Sequence, residues 1–192
     1  MMGEYIPFSQ WFPVIEKFSP IGRGLTAGTD VLTIEMNQVR LTPSICFETT
    51  VPHLIRRQIN ELAARHEEPD AIVNLTNDGW FFGTSCLDLH LACNVFRAVE
   101  MRKTNLVCAN TGLSAEIDPA GRIVQVGPRR DVTVMMVRVP ADGPTANWVS
   151  TYRTWGDGIP ILMAFFVGIP IFIRLIVKFR RETGLKSSFE ND

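Results

Sequence analysis

The sequence has no surplus of basic charge to draw it to nucleic acid: 19 Lys and Arg stand against 20 Asp and Glu over 192 residues, a formal net charge of -1. Without a broad positive field, phosphate-backbone binding loses its driving force, so nucleic acid is excluded as a partner. Cysteine is scarce too. The 4 cysteines, Cys46, Cys86, Cys93 and Cys108, are too few and too scattered for a disulfide scaffold, and none falls in the close pairs of a zinc site. On one helix Cys86 and Cys93 stand roughly 10 Å apart, beyond disulfide reach. No metal and no cofactor is expected. Internal repeats and low-complexity tracts are missing. Residues 1–7 lack the basic patch and apolar run of a secretory signal or a leading membrane helix, which suggests a segment absent upstream.

What is present is enough apolar content, 46%, for one globular core and an appendage. The appendage lies at the far end. From Gly156 to Ile173 the only charge is Asp157, and the apolar run resumes beyond Arg174 through Leu175, Ile176 and Val177. That length approaches the roughly 20 residues that cross a bilayer. Trp148, Tyr152 and Trp155 precede the run as interfacial aromatics, while Arg174, Lys178, Arg180, Arg181 and Lys186 crowd its other end, which places the C-terminus in the cytoplasm. Residues 156–178 are expected to span the membrane, 179–192 to form a basic tail, and 140–155 to form a linker and interfacial segment.

Between the ends the hydrophobic period keeps changing, as in a layered α/β domain. Val31 to Met36 and Val39 to Cys46 read as strands. Thr50-Val51-Pro52 reads as a helix start, with Thr50 as hydroxyl cap and Pro52 in the first turn, opening a helix to about His66 whose exposed face carries Arg56, Arg57, Glu61 and Arg65. Ala71 to Thr76 reads as a strand covered on both faces, closed by the turn residues Asn77-Asp78-Gly79. Thr84 to Lys103 sets Leu87, Leu91, Val95 and Val99 at helical spacing. Leu106 to Ala109, Ser114 to Ile117, Arg122 to Val126 and Val132 to Val139 then read as strands, with a turn at Asp118-Pro119-Ala120-Gly121.

Cys46 ends an apolar strand just before a helix start, where the partial positive charge favours a thiolate. Taken alone, a strand-end cysteine also fits a small buried hydrophobe. His90 has no partner pattern and reads as a packing or hydrogen-bonding residue. Arg97 and Glu100 read as a helical ion pair.

Five motifs in order, Gly3-Glu4-Tyr5-Ile6-Pro7, Ser44-Ile45-Cys46-Phe47-Glu48, Asn74 to Phe81, Phe96 to Arg102 and Asn110 to Ser114, resemble the carbon-nitrogen hydrolase (nitrilase) superfamily over residues 3–139. The aromatic-Glu pair after the cysteine, the Asn-Asp-Gly-Trp-Phe run and the terminal apolar helix are similar, within it, to the apolipoprotein N-acyltransferases. The resemblance implies that residues 1–139 are the C-terminal part of an αββα sandwich, a partial α/β fold followed by one transmembrane helix. It implies Cys46 as nucleophile of a Glu-Lys-Cys triad whose glutamate and lysine precede Gly3. Glu4 matches a second active-site glutamate, and Glu48 one beside the nucleophile that serves hydrogen bonding or orientation. Phe47 stands where a tyrosine is expected, and Phe47, Asn77, Asp78 and Trp80 are assigned to substrate binding; the last three also fit a simple turn with a packed indole.

The partners so implied are a phospholipid acyl donor, a diacylglyceryl lipoprotein acceptor, the membrane, and an upstream half of a split protein. The implied location is the bacterial inner membrane, with the domain on the periplasmic or outer side. Two other readings stay open: a catalytically incomplete remnant or binding module of the same fold, and an amidase of the superfamily.

Overall fold

The computed structural model describes residue 28 and residues 30–129, 131–140 and 148–182, with the backbone alone for Trp80 and residues 180–182. Six strands form one mixed sheet in sequence order: β1 (Ile34–Met36), β2 (Val39–Ile45), β3 (Ala71–Asn77), β4 (Thr104–Asn110), β5 (Ala115–Ile117) and β6 (Ile123–Val126). The central three, β2, β3 and β4, are parallel, and the other pairings are antiparallel. Parallel neighbours need a crossover, and two helices supply it: α1 (Pro52–Ala64) and α2 (Cys86–Met101).

Both helices cover the same face. Ile55 and Ile59 of α1 meet Ile72 of β3 and Met101 of α2, while Ala98 of α2 meets Val107, Ala115 and Ile117. Each large apolar side chain so buried contributes roughly 1.5–3 kcal/mol. The register sets Thr42 beside Ile72 and Asn105, and Ser44 beside Asn74 and Val107, on this covered face. The face is therefore polar at its centre, where Gln58 Nε2 donates to Thr42 Oγ1 at 2.7 Å and Asn105 Nδ2 to the Asn94 carbonyl at 3.0 Å, while Ser44 Oγ, Asn74 Oδ1 and Asn105 Oδ1 are buried without a hydrogen-bond partner among the described residues. The opposite face carries Ile45 and Leu75, which are 49% and 46% exposed. The expectation that β3 is covered on both faces holds at Ala71 and fails at Leu75, because both crossover helices lie on one side.

Three further details depart from the sequence reading. The Thr50 hydroxyl donates to the Phe47 carbonyl at 2.7 Å instead of capping α1, whose first turn carries Pro52 and no side-chain cap. Residues 132–139 join no strand among the described residues. Gln125 Nε2 ties that segment down at the Met136 carbonyl, 2.6 Å away, and Val132, Val134 and Met136 are left exposed. Arg56 is half-buried, because its Nε donates to the carbonyls of Tyr152 (3.1 Å) and Arg153 (2.8 Å).

Tyr152 and Arg153 lie in α3 (Thr151–Trp155), a helical turn where a linker was expected. Arg153 is buried; its guanidinium donates to Asn60 Oδ1 at 2.9 Å and to Glu68 Oε1 at 2.6 Å, and Lys103 Nζ meets the same oxygen at 2.8 Å. Burial alone would raise the Glu68 carboxyl, but the hydrogen bonds from Arg153 and Lys103 outweigh it and hold the group below its ordinary range.

The final helix, α4 (Gly158–Glu182), belongs to a separate unit beginning at Thr154. Its span Gly158–Phe179 is 22 residues with a mean hydropathy of 2.4 and none of it buried, long and apolar enough to cross a membrane. Pro170 lies inside it.

Candidate active site

The parallel strands all end at one edge, the position where open α/β sheets place their sites. Cys46 follows the last residue of β2 and has φ +49°, a left-handed backbone that a Cβ-bearing residue adopts only under constraint. Its carbonyl oxygen supplies that constraint. It accepts from Asn74 Nδ2 of β3 at 3.1 Å and from Thr49 Oγ1 at 3.3 Å, and lies 3.2 Å from Nε2 of His90 on α2. Asn74 and Thr49 are fully buried and His90 nearly so, so the bend is fixed by groups that have no water to turn to.

The sulfur has its own partner. Thr76 Oγ1, from the end of β3, is 3.3 Å from Cys46 Sγ and 2.7 Å from Asp78 Oδ1, and that same carboxylate oxygen is 2.9 Å from His90 Nδ1. The Asp78 and His90 side chains are 3% and 6% exposed, so this is an interior pair. The Phe81 ring stands edge-on to the His90 ring at 6.4 Å. Gly112 is required where it touches Asp78: a Cβ there would fall 2.2 Å from Oδ2 and 2.8 Å from Cγ.

Beside the sulfur opens a cavity of about 720 Å³, lined among others by Ile45, Leu75, Leu106, Cys108 and Met135. Desolvation by neighbouring protein atoms pushes the Cys108 thiol up. Among the described residues no group of three His, Cys, Asp or Glu side chains is placed to hold a metal ion.

The candidate residues separate by place. Cys46 does not gain its setting from a helix terminus: a five-residue 3-10 turn, Cys46–Thr50, intervenes before α1, too short to carry a helix dipole. Glu48 Oε2 accepts the Ile45 N–H at 2.7 Å and so pins the turn at its start. Phe47 is 43% exposed. Asn77 lines the cavity, and its Oδ1 accepts from Gly79 N (3.3 Å) and Asn110 Nδ2 (3.1 Å). Asp78 points inward to Thr76 and His90. The backbone of Trp80 lies in the turn Asp78–Phe81, and Glu4 lies outside the described residues. Arg97 and Glu100 pair at 2.7 Å, and Arg97 Nη1 also donates to the Thr49 carbonyl at 3.1 Å.

His90, lacking a partner pattern in sequence, has one in space. Asn74, Thr76 and Thr49 were not singled out as site residues at all. The signal for Asn74 and Thr76 was the placement of polar side chains at alternate positions of a buried strand, where each one needs a partner; Thr49, in the turn Cys46–Thr50, carried no such signal.

No family model matches the sequence. An apolipoprotein N-acyltransferase of Rhodopirellula baltica is 38% identical over 127 residues, 65% of this chain and 22% of the relative. An apolipoprotein N-acyltransferase 2 of Leptospira interrogans is 31% identical, over 94% of this chain and 36% of the relative. Among solved structures, an amidase from a Nesterenkonia species aligns at TM-score 0.47 and 19% identity, over 70% of this chain and 52% of that one. A nitrilase-superfamily protein of Saccharomyces cerevisiae aligns at TM-score 0.44 and 18% identity, over 58% and 41%. The chain spans about a fifth to a third of the length of the first curated relatives it matches. It is a homologue of part of the apolipoprotein N-acyltransferases.

Proposed function

We propose that the chain is the C-terminal part of an apolipoprotein N-acyltransferase in which Cys46 carries the acyl group. In this reading the Cys46 thiolate attacks an ester carbonyl of a phospholipid. The sulfur–carbon bond forms as the ester C–O bond breaks, and the lysophospholipid alkoxide leaves with a proton. The amino group of a lipoprotein's diacylglyceryl-cysteine then attacks the thioester, the amide forms, and the thiol returns. The glutamate base and the lysine that the resemblance implies come from sequence N-terminal to Gly3 or from a partner chain. The α4 helix spans the inner membrane, the sheet lies on its outer side, and the basic tail is cytoplasmic. In this reading Glu4 is a second active-site glutamate, and Trp80 belongs to substrate binding with Phe47 and Asn77.

The observation that carries this reading is the placement of the Cys46 sulfur, at a constrained bend at the strand ends and beside a cavity with an apolar lining that suits a fatty chain. Membranes of the source cells, carrying the chain at its natural level, are given a phospholipid with a tagged acyl chain and a synthetic diacylglyceryl-cysteinyl peptide. The tag is expected on the peptide's N-terminus as an amide, and missing when Cys46→Ala replaces the wild type. Equal transfer by the Cys46→Ala membranes overturns the assignment, and release of free fatty acid in place of amide favours an amidase-like hydrolase.

A further inference from the structure

We propose that Thr76 is a positioning residue for the Cys46 sulfur, its hydroxyl held in place by the buried Asp78–His90 pair. This deepens the reading above and rests on Cys46 being its reacting group.

The Thr76 hydroxyl has one proton and two acceptors in reach, Asp78 Oδ1 at 2.7 Å and Cys46 Sγ at 3.3 Å. While the cysteine is a thiol, the nearer oxygen takes the proton. The Thr76 oxygen then presents a lone pair to the S–H, which fixes the sulfur's rotamer. When the cysteine loses its proton, the hydroxyl turns to donate to the sulfur, and Asp78 Oδ1 keeps its bond to His90 Nδ1 at 2.9 Å. A donor that reorients without moving any heavy atom holds both states of the sulfur in one place.

The pair behind Thr76 has further neighbours. The second nitrogen of His90 lies 3.3 Å from the Thr49 hydroxyl and 3.2 Å from the Cys46 carbonyl, and Asp78 rests on Gly112. The chain of contacts therefore begins and ends on Cys46, running from sulfur through Thr76, Asp78 and His90 back to the carbonyl. Glu48, the other nearby carboxylate, is engaged by the Ile45 N–H. The Thr76 hydroxyl bonds to the sulfur and to Asp78.

The test is alkylation of the full chain in detergent by iodoacetamide, read peptide by peptide by mass spectrometry across a pH series, with Cys93 as internal control. Thr76→Val keeps the side chain's shape and removes the hydroxyl. It is expected to slow Cys46 alkylation about 3–10-fold near neutral pH, the size of one ordinary hydrogen bond, with the deficit closing at alkaline pH where the thiolate forms regardless. Thr76→Ser is expected to restore the wild-type profile, and Cys93 to be unaffected. Should Thr76→Val fail to accumulate, Thr76→Ala, which only removes atoms, serves the same comparison. A wild-type profile in the hydroxyl-free variant, or a Thr76→Ser variant as slow as Thr76→Val, overturns the proposal. Alkylation needs no phospholipid, so a Thr76 effect without acyl transfer contradicts the proposed function alone, and acyl transfer without a Thr76 effect contradicts the positioning alone.

Discussion

The side-chain amide of Asn74 donates to the carbonyl of Cys46 across 3.1 Å, joining the middle of one parallel strand to the bend at the end of its neighbour. Asn74 is fully buried, so the bond it makes there has no solvent substitute. Replacing it with leucine keeps the volume and removes the donor. Asn74→Leu is expected to cost about 1–3 kcal/mol in thermal or denaturant unfolding and to lower acyl labelling of Cys46 by more than the stability loss explains. Unchanged stability and labelling would show that the bend holds itself.

The strain at Cys46 has a separate signature. At φ +49° a glycine is more comfortable than any residue with a Cβ. Cys46→Gly is expected to unfold with about 1 kcal/mol more stability than Cys46→Ala, the reverse of the order found at ordinary backbone angles. Comparing the two inactive variants isolates the backbone from the chemistry.

Gly112 offers a steric probe of the interior pair. A methyl placed there meets Asp78 Oδ2 at 2.2 Å and Ala109 Cβ at 2.9 Å, so the carboxylate must move off Thr76 and His90. Gly112→Ala is expected to destabilise by about 1–3 kcal/mol. It is also expected to slow Cys46 alkylation while leaving Cys93 alone, which the same peptide-resolved measurement reports.

Glu68 predicts an acid limit. Its folded carboxyl is held below the ordinary value, so the stability it contributes is present above the unfolded value and lost as pH falls through the folded one. Unfolding measured from neutral to acid pH is expected to show a loss below the usual carboxylate range that Glu68→Gln flattens. The same variant leaves Arg153 and Lys103 without their shared anion at neutral pH. An equal acid slope in Glu68→Gln and wild type contradicts this assignment.

Much of the fold was legible because its signals are local. Ala71 to Thr76 announced β3 by its apolar run, and Leu87 and Leu91 announced α2 by their spacing. The sequence reading erred where a pattern met a competing partner. Thr50 has the residue type of a cap, but it closes the preceding 3-10 turn, donating back to the Phe47 carbonyl, and Val51 takes the cap position. The alternation from Val132 to Val139 promised a strand, yet the Gln125 side chain, rather than a neighbouring strand, holds the Met136 carbonyl.

The site divided in the same way. Cys46, Glu48, Asn77 and Asp78 could be named as candidates because they lie in compact motifs. Thr76 and His90 reach Cys46 only after 30 and 44 residues of chain have folded back, through a parallel crossover that no spacing rule reveals. Asp78 was expected at the wall of the substrate site, and the structure turns its carboxylate inward, where it organises other side chains.

The most direct measurement is the mass of the Cys46 peptide recovered from source-cell membranes after incubation with acyl-tagged phospholipid and no acceptor. The account predicts an acyl adduct on Cys46 that neutral hydroxylamine removes and that adding diacylglyceryl-cysteinyl peptide discharges. A Cys46 peptide that stays unmodified while tagged acyl groups appear on the acceptor would contradict it.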